Sequence, residues 1–452
     1  MPSVLIDAAE RAARYLENLP KRSVAPTPGA VRALDRFSGR LPDSGETGER
    51  VIAELDEFGS SATMGSAGAR YFGFVIGGGL PTSLAANWLA GSWNQNVAME
   101  TMTPVGVRLE RIALEWTRDL LSLPEDVQGA FVTGDTLANV SALAAARSDV
   151  LSKAGHDVAA QGLSGATPVT VVVGEEVHIS ILRAIALLGL GRDRVIRVPV
   201  DSQGRMMADD LPNISGPTIV CTQAGNVNSG AFDPVREIAA KAHSKGAWVH
   251  VDGAFGLWAR AAPARRRLAD GVEDADSWAL DCHKWLNVPY DSGIVYVRNG
   301  SALRAALAPG PAAYIPTSGQ AEPWELTPEM SRRARGVDAW AALRHLGRSG
   351  VADLVERCCR HARRFADRLS AAGFQILNEV SLNQVLVSFG SDEATRRVIS
   401  DIQREGTCWC GGTIWHGRSA MRISVSSWAT TAADVDLSAD AIIRLARSQP
   451  AP

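Results

Sequence analysis

Five short apolar runs constrain this chain more than any other feature: "GAFVTG" (129–134), "VTVVVG" (169–174), "VIRVPV" (195–200), "TIVCT" (218–222) and "AWVHVD" (247–252). Each is too short for a core helix and is bounded by turn residues, so each reads as a buried strand. Helical stretches alternate with them. "TLANVSALAAARSDVL" follows the first run, and "ISILRAIALLGL" follows the second with Gly191 placed to end it. "DPVREIAAKAHSKG" (233–246) precedes the last run, with Asp233 placed to cap a helix, Pro234 to open it and Gly246 to follow its end. Strand, helix and strand with short connections form right-handed crossovers. The expected core is therefore an α/β layer structure with a mostly parallel sheet.

The remaining segments flank that layer. Residues 1–60 read as helical, with Ile6, Ala9, Ala13, Tyr15 and Leu16 at roughly helical spacing and "PKRSVAPTPGA" as a Pro-rich linker. "VGVRLERIALEWTRDLLS" (105–122) is strongly amphipathic. From about residue 341 the pattern changes to a long helix, "VADLVERCCRHARRFADRLSAAG", then strands "NQVLVSFG" and "MRISVS" and a last helix. The expected organisation is an N-terminal helical segment (1–78), a large domain (79–340) and a small C-terminal α+β domain (341–452).

Composition narrows the function. A chain of 452 residues that is 46% hydrophobic has material for a large core, and a net charge of -3 without a basic patch gives nucleic acid no footing. No window of ~18 uninterrupted apolar residues predicts a membrane span. The first residues lack the charged and apolar regions of a signal peptide. Cys221, Cys282, Cys358, Cys359, Cys408 and Cys410 are therefore expected to be reduced, in the cytoplasm. "CWC" at 408–410 is a weak ligand pair, and no metal is expected.

Four features point to chemistry at the carboxyl ends of the strands, where open α/β sheets bind ligands. Asp252 ends an apolar strand beside "GAFG". "FVTGDTLAN" is a strand, a glycine turn, a hydroxyl and a helix start, the arrangement that offers N–H groups to a phosphate. His178 stands in "EEVHIS", just after a strand. Lys284 stands in "WALDCHKW" (278–285), an ammonium among Trp278, Leu280 and Trp285. Singly, each has an ordinary explanation: a helix cap, a common turn, a structural histidine, a surface lysine. Their conjunction is the specific signal.

In that chain order they resemble the fold-type-I pyridoxal-phosphate enzymes of the aspartate aminotransferase superfamily, and within them the group II amino-acid decarboxylases. "HVDGAFG" resembles that family's His-Val-Asp-Ala-Ala segment, and "ADSWALDCHKWLNVPYDSG" its lysine-bearing segment. "GNVNSGAFDP" and "TPEMSRRARG" are similar to further family segments, and the resemblance runs from the N-terminal helices to "MRISVSSWATT". The resemblance implies a seven-stranded, mostly parallel sheet and pyridoxal 5'-phosphate as cofactor. By the same resemblance Lys284 forms the Schiff base and Asp252 pairs with the pyridine nitrogen. His178 stacks on the ring, with Ala254 on its other face. Gly134, Asp135 and Thr136 hold the phosphate, His283 reaches it, and Asn226 lies near the phenolic oxygen. Partial burial is expected to lower the Lys284 pKa.

Two departures from the family pattern stand out. Asp135 occupies a place that is generally small, and its carboxylate is expected to turn away from a phosphate. The segment "AAYIPTSGQAEPWELTPEMSRRARG" is short and has no tyrosine after Tyr314, where animal relatives carry a proton-donating one; Lys284 and His178 are the replacement donors. Phe74, Val75 and Ile76, with Ala98 and Met99, favour an apolar or aromatic amino-acid substrate, whereas Glu100 favours an amine-bearing one. Arg422 resembles the arginine that grips a substrate carboxylate in related aminotransferases. The expected reaction is decarboxylation of an L-amino acid through an external aldimine and a quinonoid; the alternatives are a carbon–carbon lyase of the aldolase or phospho-sphingoid type, or an aminotransferase. A homodimer is implied, with sites at the interface completed by the segment near "YFGFVIGG" and the loop near Thr317–Ser318.

Overall fold

The computed structural model describes residues 2–308, 310 and 321–448. Tyr314 and Thr317–Ser318 lie outside the described residues. The chain divides into two compact units, one made of Gly79–Cys359 with Asn378–Gln384, the other of the residues up to Gly78, Arg360–Leu377 and the residues from Val385 onward.

The larger unit is built on seven strands: β1 (Gln128–Val132), β2 (Thr170–Gly174), β3 (Ile196–Val198), β4 (Thr218–Gln223), β5 (Trp248–Asp252), β6 (Ser277–Asp281) and β7 (Gly293–Val297). Their order across the sheet is β1-β7-β6-β5-β4-β2-β3. β7 is antiparallel to both of its neighbours, β1 and β6, and the remaining pairs are parallel. The expected mostly parallel sheet is therefore present. Every residue of β4 to β7 is buried, which is why these strands are continuously apolar rather than alternating.

The helix Asp135–Lys153 covers one face of this sheet through Ala138, Ala142, Ala145 and Ala146, which join Val173, Ile219 and Val295 in one core. Small side chains let its backbone lie close to the strands. The helix after β2 runs only from Ile179 to Leu187, short of the expected stop at Gly191; the chain leaves it through Gly189 and Gly191, at φ 71° and 80°. The next helix spans Val235–His243, with Pro234 and not Asp233 at its cap. Asp233 is buried instead, its carboxyl accepting the backbone N–H groups of Met206 and Gln223, each at 2.7 Å. Burial pushes that carboxyl up to about 6.

The smaller unit carries β8 (Gln375–Ile376), β9 (Gln384–Ser388), β10 (Gly411–Trp415) and β11 (Arg418–Ser424) in the order β10-β11-β9-β8. The helices Asp392–Glu405 and Ala432–Arg447 belong to it, as does the N-terminal helix Pro2–Asn18. The six cysteines are free and buried. No helix among the described residues is long and apolar enough to cross a membrane.

Candidate functional site

β1, β2, β4, β5 and β6 run in the same direction, so their carboxyl ends share one edge of the sheet. The chain places Gly134 just past β1, His178 past β2 and Asn226 past β4. Asp252 and Asp281 are the last residues of β5 and β6. Lys284 lies three residues beyond Asp281 and is the one lysine of the chain that is not exposed; Lys21, Lys153, Lys241 and Lys245 lie on the surface.

Asp281, which the sequence reading did not single out, is the hub of one side of the site. Its Oδ2 lies 2.7 Å from Lys284 Nζ, its Oδ1 accepts the backbone N–H of Asp135 at 2.7 Å, and His283 Nε2 is 3.6 Å away. A Cβ on Gly134 would come within 3.1 Å of His283 Cε1 and 3.3 Å of Asp281 Oδ1, so any side chain there would press on both. Burial by itself would lower the Lys284 pKa, as expected from sequence, but the finding is the reverse. The neighbouring carboxyl groups, Asp281 first among them, outweigh burial and hold the ammonium form above its ordinary range. His283 is kept below its ordinary range by burial, against the pull of Asp281. The Tyr290 ring packs against His283 at a tilt of 31°, with centroids 4.3 Å apart, another neighbour unremarked in the sequence.

On the other side, a directed hydrogen-bond chain orders Asp135, His178 and Asp252. Burial pushes His250 down to about 4, so it is neutral near pH 7 and has one ring N–H. Asn139 Oδ1 only accepts, so His250 Nε2 donates to it at 2.8 Å, and His250 Nδ1 accepts from Ser277 at 2.9 Å. The Asn139 amide then donates to Asp135 Oδ2 at 2.9 Å and to Ser180 Oγ at 3.2 Å. Ser180 Oγ is 2.8 Å from His178 Nδ1 and 3.4 Å from Asp252 Oδ2. His178 caps the helix Ile179–Leu187 by accepting the Ser180 N–H. The Asp135 carboxyl has thus turned back along its own helix to Asn139, and burial, with the charges of Asp252 and Asp281, raises it well above the usual carboxylate range.

Ligand-type atoms of Asp135, His178 and Asp252 lie within 4.8 Å of one another. One histidine and two carboxylates would also suit a divalent cation in principle, but His178 Nδ1 is already engaged by Ser180.

The other residues named from sequence are placed as follows. Ala254 adjoins Asp252, whose Oδ1 accepts the Ala254 N–H at 3.2 Å, and its carbonyl accepts the Asp281 N–H at 2.9 Å. Thr136 is in the first turn of the helix Asp135–Lys153. Asn226 is buried; its Oδ1 accepts from the backbone of Asn228 and Ser229, while its Nδ2 is buried with no protein partner. Ala98 is buried, its carbonyl accepting from Trp324 at 3.2 Å. Glu100, expected from sequence to attract an amine, pairs with Arg111 at 2.8 Å with its side chain 48% exposed. Phe74, Val75 and Arg422 belong to the smaller unit. Phe74 and Val75 adopt φ of 54° and 61°, uncommon for such side chains. Phe74 stacks on Trp409 at 5.4 Å, and burial lowers the Arg422 pKa.

This chain is 26% identical over 349 residues to the aromatic-L-amino-acid decarboxylase of Bacillus atrophaeus, covering 74% of this chain and 70% of that one. It is 27% identical over 387 residues to the L-2,4-diaminobutyrate decarboxylase of Rhizobium meliloti strain 1021, covering 81% and 75%. A crystal structure of Oryza sativa TDC with PLP and tryptamine shares the fold at a TM-score of 0.92 and 22% identity, over 99% of this chain and 97% of that one. A family model described as the pyridoxal-dependent decarboxylase conserved domain matches residues 40–390, and the chain accordingly belongs to this family of pyridoxal-phosphate-dependent amino-acid carboxy-lyases.

Proposed function

We propose that this chain decarboxylates an L-amino acid with a neutral, apolar or aromatic side chain, and that it works as a homodimer. One observation carries the reading: its single unexposed lysine stands at the shared edge of the strand ends, tied to one buried carboxylate and beside a second.

The residues present fit pyridoxal phosphate. Asn226 Nδ2 is a buried donor without a protein partner. A helix N-terminus opens at Asp135 behind Gly134, where an added Cβ would crowd His283 and Asp281. In the proposed arrangement Lys284 holds the aldehyde carbon. Asp252 faces the ring nitrogen and keeps it protonated, as an opposite charge at hydrogen-bond range does. His178 and Ala254 would pack on the ring, and Asn226 would serve the phenolic oxygen. Gly134 and Thr136 would hold the phosphate with His283, whereas the Asp135 N–H, expected from sequence to join them, is given to Asp281. When bound, the cofactor supplies a sink for the electron pair released at the substrate α-carbon.

With no tyrosine between Tyr314 and "SRRARG", the proton for that carbon is assigned to Lys284 Nζ, which Asp281 keeps charged at 2.7 Å. The charge of the site supports the substrate class. Asp281 already holds the one lysine ammonium of the site and Asp252 adds a second anion, which disfavours a side-chain carboxylate. Phe74, Val75, Ala98 and Arg422 are proposed substrate contacts. The name of the Bacillus relative agrees with an aromatic substrate. The dimer is supported by Leu5 and Ile6, 66% and 60% exposed on a helix that has apolar surface to cover.

A panel of L-amino acids with mass detection of carbon dioxide, amine, aldehyde and keto acid tests the reading. Equal yields of carbon dioxide and amine from an aromatic or apolar amino acid are expected. Keto acid or aldehyde without carbon dioxide, or a preference for aspartate or glutamate, would overturn it.

A further inference from the structure

Three carboxylates meet at the strand ends, and the protein answers only two of them. Asp281 has the Lys284 ammonium at 2.7 Å and the Asp135 N–H at 2.7 Å. Asp252 accepts the Ala254 N–H at 3.2 Å and faces the Ser180 hydroxyl at 3.4 Å. Under the reading above it also gains the ring nitrogen as its cation. Asp135 has no cation and only a partial set of donors. Among the described residues no cation comes within salt-bridge reach of it. Its Oδ2 accepts one amide N–H from Asn139, and its Oδ1 is buried with no partner. A buried anion without a cation or a full set of donors is costly, and such a group takes up a proton instead.

We propose that Asp135 serves the cofactor site as a neutral carboxylic acid, protonated at Oδ1, and that it keeps this proton when the cofactor phosphate is bound. The proposal rests on the reading of this edge as a pyridoxal-phosphate site. It explains how a carboxyl can stand where the family resemblance calls for a small residue. An ionised Asp135 would set a second anion beside Asp252 and oppose a phosphate at the same helix start. A neutral one leaves Asp252 as the single anion bearing on the ring nitrogen, and it adds no repulsion at the phosphate.

The groups that face Asp135 pull in both directions, and burial decides the sign. Asp252 at the end of β5 and Asp281 at the end of β6 both favour its protonated form; Lys284 and the Ser180 hydroxyl oppose them, and burial adds the largest push upward. His178 is within 4.8 Å. His250, behind Asn139, is neutral and brings no positive charge. His283, beside Gly134, is held toward its neutral form by burial.

The test is carboxyl ¹³C spectroscopy of the holoenzyme with its aspartate side-chain carbons labelled. Burial also raises Asp233 and Asp338, each to about 6. The spectrum is therefore recorded at about pH 8, where a pKa two units lower leaves only about one carboxyl in a hundred protonated. The expected result is one aspartate carboxyl at the chemical shift of the acid form, absent from Asp135→Asn and from Asp135→Ser, the second variant covering a failure of the first to fold. Aspartate carboxyls that are all ionised in the wild-type holoenzyme would overturn the proposal. So would an acid-form signal that survives in either variant. Visible absorption of the same sample reports separately whether cofactor is bound. A colourless protein would count against the cofactor reading, while the apoprotein spectrum would still decide the state of Asp135.

Discussion

Replacing Asp281 with asparagine exposes the electrostatics that hold Lys284. The pair is 2.7 Å apart, with Asp281 2% exposed and the Lys284 side chain 19% exposed. Asparagine keeps the shape and can still accept the Asp135 N–H, but it removes the counter-charge. Stripping one partner from a buried pair costs roughly 3–5 kcal/mol if the other stays charged. Lys284 escapes that cost by giving up its proton. At about 1.36 kcal/mol per pH unit, the same energy corresponds to a fall of about 2–4 units in its pKa. Partial solvent access to the Lys284 side chain places the expectation at the lower end.

The sign follows from the direction of the shift. Asp281 helps hold the folded-state pKa of Lys284 above its ordinary value. The resulting stabilisation is complete below the ordinary lysine pKa and is lost only as pH rises through the raised value. Wild-type apoprotein therefore carries all of it near neutral pH, and Asp281→Asn does not. Competitive acetylation of the apoprotein across pH, read by mass spectrometry, measures the shift at Lys284 with the exposed Lys153 and Lys245 as internal references. Asp281→Asn should move the Lys284 profile by about 2 units to lower pH and lower the melting temperature near neutrality. An unmoved Lys284 profile in a folded variant would refute the assigned coupling.

Asp252→Asn should impair turnover more than cofactor retention, by about 1.5–3 kcal/mol or more in the transition state, because the amide cannot hold the ring nitrogen protonated. Unchanged kcat would mean that another residue faces that nitrogen. His250, pushed by burial to about 4 from its ordinary 6.5, gives stability that is present above about pH 6.5 and lost, by about 3 kcal/mol, as pH falls through about 4. His250→Gln should flatten that limb of the acid-unfolding curve, and an equally steep limb would contradict the burial argument. Lys284→Ala subunits mixed with subunits blocked at Phe74 should recover one working site per mixed dimer if Phe74 serves the partner's site. Verified mixed dimers without recovery would count against shared sites.

Much of the sheet could be read from the chain because its parallel strands are buried on both faces. The runs at 169–174, 218–222 and 247–252 are therefore nearly continuous in apolar residues and end at turns. β6 and β7 carry the same signal in "SWALD" and "GIVYV", but no local pattern shows that β7 is antiparallel, since direction depends on partners distant in sequence. Asp252 was legible as a carboxylate closing a buried strand. Asp281 closes its strand in the same way, but nothing local in "ALDCHKW" shows that its carboxylate turns to Lys284. The sign of the Lys284 shift was hidden with it: burial was legible, but the carboxylate at 2.7 Å was not. Asp233 looked like a cap next to Pro234, yet its partners are Met206 and Gln223, which only the tertiary fold supplies. The chain from His250 through Asn139 and Ser180 was not legible either, because it joins residues on two strands and two helices.

The assignment of Lys284 as the cofactor-bearing residue is tested most directly by borohydride reduction of the holoenzyme, followed by peptide mass mapping. The chain offers five lysines, Lys21, Lys153, Lys241, Lys245 and Lys284, so the outcome is unambiguous. The predicted result is one reduced pyridoxyl phosphate per chain, on the peptide that contains Lys284, with loss of the label in Lys284→Ala. Stoichiometric label on one of the four surface lysines, or label retained in Lys284→Ala, would contradict the assignment.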